Sequence, residues 1–199
     1  MSTYRRIKAQ GGTYFFTVVT YRRQRFLCDE PVRTALREAI REVQAACPFT
    51  IDGWVLLPDH LHCIWTLPEG DGDFSKRWAM MKRFVSKRCG SELLREEWLT
   101  ESKRKRNEST IWQRRYWEYM ISDEGDFLRH MDYLHYNPVK HGLVQSVKDW
   151  PYSTFHRYVR DGVYPEDWGG VRDGEMESGF GEPGEGGGKV HGAHPTLLP

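Results

Sequence analysis

Thr50-Ile-Asp-Gly-Trp-Val-Leu-Leu57, then Pro58-Asp59, then His60-Leu-His-Cys-Ile-Trp-Thr-Leu67, is the stretch that decides the fold. Both octets are rich in β-branched and aromatic residues. The Pro-Asp step between them is turn chemistry, so the stretch reads as two strands joined tightly. Upstream, Thr13-Tyr-Phe-Phe-Thr-Val-Val-Thr20 reads as an earlier strand, opened by Gly11-Gly12. Between it and the hairpin, residues 29–46 read as a helix. Asp29 stands at the cap, Pro31 in the first turn, and Val32, Leu36, Ala39, Ile40 and Val43 recur at helical spacing. Downstream, residues 74–89 form a basic helix with Trp78, Met81, Phe84 and Val85 on one side, and residues 115–121 fit a fourth strand. The order β-α-β-β-α-β predicts an α+β protein with a ferredoxin-like antiparallel sheet and helices on one face. One more helix opens at Asp123. It is expected to end at Asn137-Pro138, because a residue before proline avoids the helical region. The open sheet face is left for a site or for that helix.

The 199 residues fit one domain, expected over residues 1–169. Residues 170–199 hold nine glycines, five acids and two bases, and read as a disordered acidic tail. Residues 91–110, which include Lys103-Arg-Lys-Arg106, read as a helical extension followed by a mobile loop; residues 138–168 are expected to wrap the core. The sequence holds no apolar run of about 18 residues, which excludes a transmembrane helix. The start, Met-Ser-Thr-Tyr-Arg-Arg, argues against a secretory signal. Cys28, Cys47, Cys63 and Cys89 form no Cys-x-x-Cys pair, which argues against a zinc ribbon or disulfide framework and fits a reducing cytoplasm. The net charge of +1 averages unlike regions: residues 75–115 hold 13 Lys and Arg against five Glu. That segment is either the footprint of a phosphate-binding protein or a solvated helix face.

His60 and His62 sit two apart on a strand, so both imidazoles point to one face. They make either a metal clip or a pair of ordinary sheet histidines. On the last helix, Phe127, Met131 and Leu134 form the apolar stripe, while Asp126, His130, Tyr133 and Asn137 share an adjoining face. Tyr133 and Asn137 are four apart and therefore neighbours. If this helix crosses the open sheet face, Asn137 could complete a His-His-Asn site with Tyr133 beside it. Imidazole mixed with oxygen suits Mg²⁺ or Mn²⁺. The alternative is a core tyrosine followed by an asparagine cap.

Five stretches carry a family likeness: Tyr14-Phe-Phe-Thr17, Trp54-Val-Leu-Leu-Pro-Asp-His-Leu-His-Cys-Ile-Trp65, Trp112-Gln-Arg-Arg-Tyr-Trp-Glu118, Met131-Asp-Tyr-Leu-His-Tyr-Asn-Pro-Val-Lys-His-Gly142 and Asp149-Trp-Pro-Tyr-Ser-Thr-Phe-His156. In these the chain resembles the REP-associated tyrosine transposases, a branch of the single-tyrosine HUH endonucleases. The resemblance implies that His60, His62 and Asn137 hold a divalent metal and that Tyr133 is the nucleophile. Asparagine looks like the branch's variant where the wider group often has glutamine. Tyr136 is a rival nucleophile by sequence, but it adjoins Asn137 instead of lying one turn away. The implied reaction is metal-dependent cleavage and transfer of single-stranded DNA through a 5′-phosphotyrosine, at palindromic repeats folded into hairpins, in the bacterial nucleoid. His130 is a further candidate to take the tyrosine's proton, or a bland surface histidine.

Lys76, Arg77, Lys82, Arg83 and Lys87 would track phosphates, and Tyr4, Arg5 and Arg6 form an arm that would read flanking bases or a frayed terminus. Trp78, Trp112 and Trp117 could stack on bases, although most of the eight tryptophans belong to the core. Two rival readings stand beside this one. A non-catalytic RNA- or single-stranded-nucleic-acid-binding module would stack bases on the open sheet. A metal-dependent hydrolase would need no Tyr133. Residues 91–110 look longer than the family's usual link, and the tail lies outside the resemblance.

Overall fold

The structure is a computed structural model that describes residues 11–106 and 108–169. The chain runs through β1 (Gly12–Val19), α1 (Glu30–Ala46), β2 (Thr50–Leu56), β3 (His60–Leu67), α2 (Phe74–Leu93), α3 (Glu101–Lys105), β4 (Trp117–Met120), α4 (Glu124–Lys140) and α5 (Phe155–Arg160). The strands form one sheet in the order β2-β3-β1-β4, with every neighbouring pair antiparallel. This is an α+β arrangement in β-α-β-β-α-β order with added C-terminal helices. The expected tail, residues 170–199, lies outside the described residues.

Strand alternation builds two cores. Tyr14, Phe16 and Val18 of β1 and Leu61, Cys63 and Trp65 of β3 pack in a core with residues of α1 and α2. Phe15 of β1, Val55 of β2 and Ile64 of β3 pack in a second core with Met131, Tyr133 and Leu134 of α4. The helix α4 therefore covers the face that the sequence leaves open. Gly53 of β2 permits its close approach, since a Cβ there would meet Met131 Sδ at 2.7 Å and Leu134 Cδ1 at 3.1 Å. Phe15 is fully buried beneath α4, so the sheet does not display the exposed stacking platform of an RNA-binding module.

Three expectations need correction. The helix α4 does not end at Asn137 but continues through Pro138 to Lys140. A proline this close to the end removes one N–H near the last turn, and the following turn still closes, with His141 N donating to Asn137 O at 3.0 Å. Asn137 therefore lies inside the helix and His141 caps it. Residues 91–110 carry the expected helical extension, but among the described residues the rest of the segment is folded where the sequence predicts a mobile loop. The helix α2 extends to Leu93, a 3-10 turn covers Glu96–Trp98, and α3 follows. Arg95 N donates to Thr110 Oγ1 at 2.8 Å, and Lys103 Nζ sits 3.7 Å from the centre of the Tyr21 ring. These contacts pin the segment to the body. Trp78 and Trp112, offered as base-stacking residues, are buried, and Trp78 stacks on Trp65 at 4.3 Å. Trp117 is half-buried against Tyr119. All four cysteines are free of disulfides. Among the described residues, no helix is long and apolar enough to cross a membrane.

The seating of α4 has a pH signature. His135 is fully buried on α4 beside Thr154 Oγ1 at 3.1 Å and the rings of Phe155 and Tyr164. Burial, then the charges of Arg157 and His156, lowers its pKa from 6.5 to about 3. Burial lowers His62 and His130 in the same direction. A histidine whose folded pKa lies below its unfolded value favours folding fully only above the unfolded pKa, and stability is lost as pH falls from about 6.5 towards the folded value. Urea unfolding should therefore show stability declining steadily between about pH 6.5 and pH 4. The His135→Gln variant should flatten part of that slope. A wild-type profile flat over this range would contradict it.

Candidate active site

His60 and His62 project from β3 onto the α4 side of the sheet, 2% and 0% exposed, with ring centres 5.0 Å apart. His60 Nδ1 lies 2.7 Å from Asp59 Oδ1, and Asp59 Oδ2 accepts from Arg23 Nη1 at 3.2 Å. Burial alone would raise the Asp59 pKa, but hydrogen bonds and charge from His60 and Arg23 hold it at about 2. An ionised carboxylate only accepts, so His60 Nδ1 carries a proton, and in the neutral ring the lone pair is then on Nε2. His62 Nδ1 lies 2.9 Å from Thr17 Oγ1, its direct partner in the β1–β3 register. Burial first, then the charges of His60, His141 and Lys140, holds the His62 pKa well below 6.5, so the ring is neutral at pH 7.

The helix α4 adds Tyr133 and Asn137, 4% and 0% exposed. The Tyr133 ring stands edge-on to His62 with centres 5.4 Å apart. Asn137 Nδ2 donates to Tyr133 O at 3.4 Å, and the amide lies close enough to His62 to favour its protonated form. His60 Nε2, His62 Nε2 and Asn137 Oδ1 are nonetheless buried with no hydrogen-bond partner of acceptable geometry. Each such atom costs about 1–3 kcal/mol. Three of them on adjoining side chains, two imidazole nitrogens and an amide oxygen, form a donor set that fits a divalent cation. Among the described residues, no group of three or more His, Cys, Asp or Glu is placed to hold a metal.

The other candidates separate. Tyr136 is half-buried beside Gly169, while Tyr133 is the tyrosine against His62. His130 is not a surface residue. Its Nδ1 lies 2.8 Å from Asp126 O, and its ring packs against Tyr119 and Phe15. Arg77 is corrected outright as a DNA contact. It is 1% exposed, and its guanidinium bonds Asp71, the Asp73, Cys47 and Pro48 carbonyls and no outer surface. Its aliphatic stem follows the buried side of α2, and the fork ties the loop before α2 to the end of α1. Lys82 is half-buried and donates to Gln113 O at 2.9 Å. Lys76, Arg83 and Lys87 are exposed on α2, which packs on the sheet face opposite the histidines. Tyr4, Arg5 and Arg6 lie outside the described residues.

Sequence reasoning missed Thr17, Asp59, Arg23, Lys140 and His141. Strand register could have found Thr17, since it faces His62 directly. Asp59 passes for a turn residue. Lys140 and His141 follow a proline that reads as the end of the helix. In the fold His141 meets His60 with ring centres 5.0 Å apart, and Lys140 Nζ lies 3.4 Å from Tyr133 Oη.

Two histidines on a central strand, with a buried tyrosine and an amide on a helix laid across them, define a single-tyrosine, two-histidine site. The profile of the family described as "Transposase IS200 like" matches residues 9–137. An Escherichia coli REP-associated tyrosine transposase is 47% identical over 171 residues, 85% of this chain and 92% of its own. A Haemophilus influenzae relative is 42% identical over 173 residues, 87% of this chain and 96% of its own. A solved REP-associated tyrosine transposase bound to a REP hairpin is 44% identical, with a TM-score of 0.75, covering 92% of this chain and 98% of that one. The chain belongs to the REP-associated tyrosine transposases, within the IS200-like transposase family.

Proposed function

We propose that this transposase nicks and rejoins single-stranded DNA beside palindromic repeat hairpins, with Tyr133 as nucleophile and His60, His62 and Asn137 as ligands of a Mg²⁺ or Mn²⁺ ion. The observation that carries the reading is the set of three partnerless, buried lone-pair atoms beside the buried Tyr133. Family membership supports it, as does the REP hairpin bound to the 44% identical relative. The strand order supports a ferredoxin-like platform for the site. We assign the activity to residues 1–169 and the protein to the bacterial cytoplasm, at the nucleoid.

The chain's own groups divide the work. Asp59 fixes the His60 ring and tautomer, and Thr17 orients the His62 ring, so both Nε2 atoms face the site. His60, His62 and Asn137 would hold a divalent ion, which would supply polarisation of the scissile phosphate. Tyr133 Oη attacks phosphorus. The Oη–P bond forms and the P–O3′ bond breaks, leaving a 5′-phosphotyrosine and a free 3′-hydroxyl. One phosphodiester is exchanged for another, so an incoming 3′-hydroxyl reverses the step without ATP.

Denaturing gels after incubation with a 5′- or 3′-labelled hairpin test this reading. A protein-linked band carrying the 3′-side fragment is expected. Cleavage without any linked band would favour a hydrolase with no covalent step, and binding without cleavage a recognition module.

The hairpin stem would be held by exposed cations. Lys76, Arg83 and Lys87 lie on α2, so a duplex touching both them and the histidines has to pass the sheet edge. Affinity should fall steeply with salt, with a log–log slope of about −0.9 per neutralised phosphate. Reversing Lys76, Arg83 and Lys87 to glutamate should weaken binding and flatten the slope by about 2–3. An unchanged slope would move the phosphate track elsewhere.

A further inference from the structure

We propose that Lys140 is a further catalytic residue, whose ammonium group holds the Tyr133 oxygen and offsets the negative charge that grows on it as the tyrosine attacks. This rests on Tyr133 being the nucleophile. Lys140 Nζ lies 3.4 Å from Tyr133 Oη and 4.9 Å from the centre of its ring. Two features of the chain produce the contact. Seven residues is nearly two full helical turns, so positions 133 and 140 share one face of α4. Helical side chains lean towards the N-terminus, which turns the Lys140 stem back towards Tyr133. The contact exists only because α4 continues past Pro138, with Lys140 as its last residue. A helix ending at Asn137 would release Lys140 from that face. The helix C-terminus also favours a cation at this position.

The surroundings make the charge effective. The Tyr133 ring packs against Phe15 and His62 at 5.9 and 5.4 Å, and the residue is 4% exposed. A charge developing in such a site is poorly screened by water, so a nearby ammonium acts strongly on it. Lys140 itself is exposed, so its own charge stays solvated until DNA arrives. In the forward step Oη–P forms, P–O3′ breaks, the phenolic proton passes to water and the departing 3′-oxygen takes up a proton. Lys140 neither gives up nor takes a proton in the step. In the reverse step the same ammonium sits beside Oη as it leaves phosphorus, so cleavage and rejoining gain equally.

The test measures single-turnover adduct formation by the full chain at saturating labelled hairpin, for wild type, Lys140→Met, Lys140→Gln and Lys140→Arg, with Tyr133→Phe as control. Lys140→Met and Lys140→Gln should each slow adduct formation and rejoining by about 100-fold, the loss typical of one donor aimed at developing charge. Hairpin Kd should change by less than about threefold, because one phosphate contact at most is lost. Lys140→Arg should recover about tenfold of the rate, since charge is kept and geometry is not. A wild-type rate in Lys140→Met or Lys140→Gln overturns the proposal. So does a loss that saturating DNA restores, which would make Lys140 a binding residue alone. An adduct that persists in Tyr133→Phe would instead overturn the assignment of the nucleophile.

Discussion

Tyr133→Phe should form no covalent species with a hairpin substrate and should cleave at background, a loss of about 10⁴-fold or more, as expected when a nucleophile is removed. The substitution deletes one oxygen and almost no volume. Tyr133 packs in the second core with Phe15, Ile64 and Leu134, and those ring contacts survive in phenylalanine. The hydroxyl accepts from Lys140, at the exposed end of α4, so folding stability should change by about 1 kcal/mol or less. Hairpin affinity should be unchanged. Tyr136→Phe is the matched control: Tyr136 lies beside Gly169, away from the histidine pair, and its variant should keep most activity. A denaturation-resistant adduct formed by Tyr133→Phe would show that another group attacks.

The double variant His60→Ala, His62→Ala should lose cleavage at every Mg²⁺ or Mn²⁺ concentration while still binding the hairpin within about threefold, because neither buried ring belongs to the cationic surface. Its second readout needs no DNA. A metal that binds only the folded state raises stability by RT ln(1 + [M]/Kd), about 2.7 kcal/mol at 100 times Kd. Wild type should therefore melt at higher temperature with added Mn²⁺, and the double variant should not. Two fully buried rings are lost, so some stability will go with them, but two partnerless nitrogens go as well. Full cleavage by the double variant in the presence of chelator would remove the metal site.

The sequence by itself determined the element order and the local chemistry. Period-two alternation marks Phe15 and Phe16, or His62 and Cys63, as facing opposite sides, and a strand can satisfy that pattern in only one register. Helical spacing likewise puts Tyr133 and Asn137 on one face whatever the helix packs against. These are properties of backbone geometry, so they are legible before any fold is known. The tertiary structure decided what each face meets. Arg77 and Lys82 read as equivalent to Arg83 and Lys87, yet Arg77 faces inward because its helix position points at Asp71 in the preceding loop and at the Cys47 and Pro48 carbonyls, 30 and 29 positions away in sequence. Asn137-Pro138 reads as a helix end because local sterics disfavour it. In the fold, packing of α4 across Gly53 and Ile64 holds the helix through that step and so brings Lys140 and His141 to the site. Asp59, Thr17 and Arg23 belong to the site through the β1–β3 pairing and the turn before β3, which join residues some 36 to 45 positions apart. Contacts of that separation carry no local periodicity, and only the closed sheet with α4 laid over it specifies them.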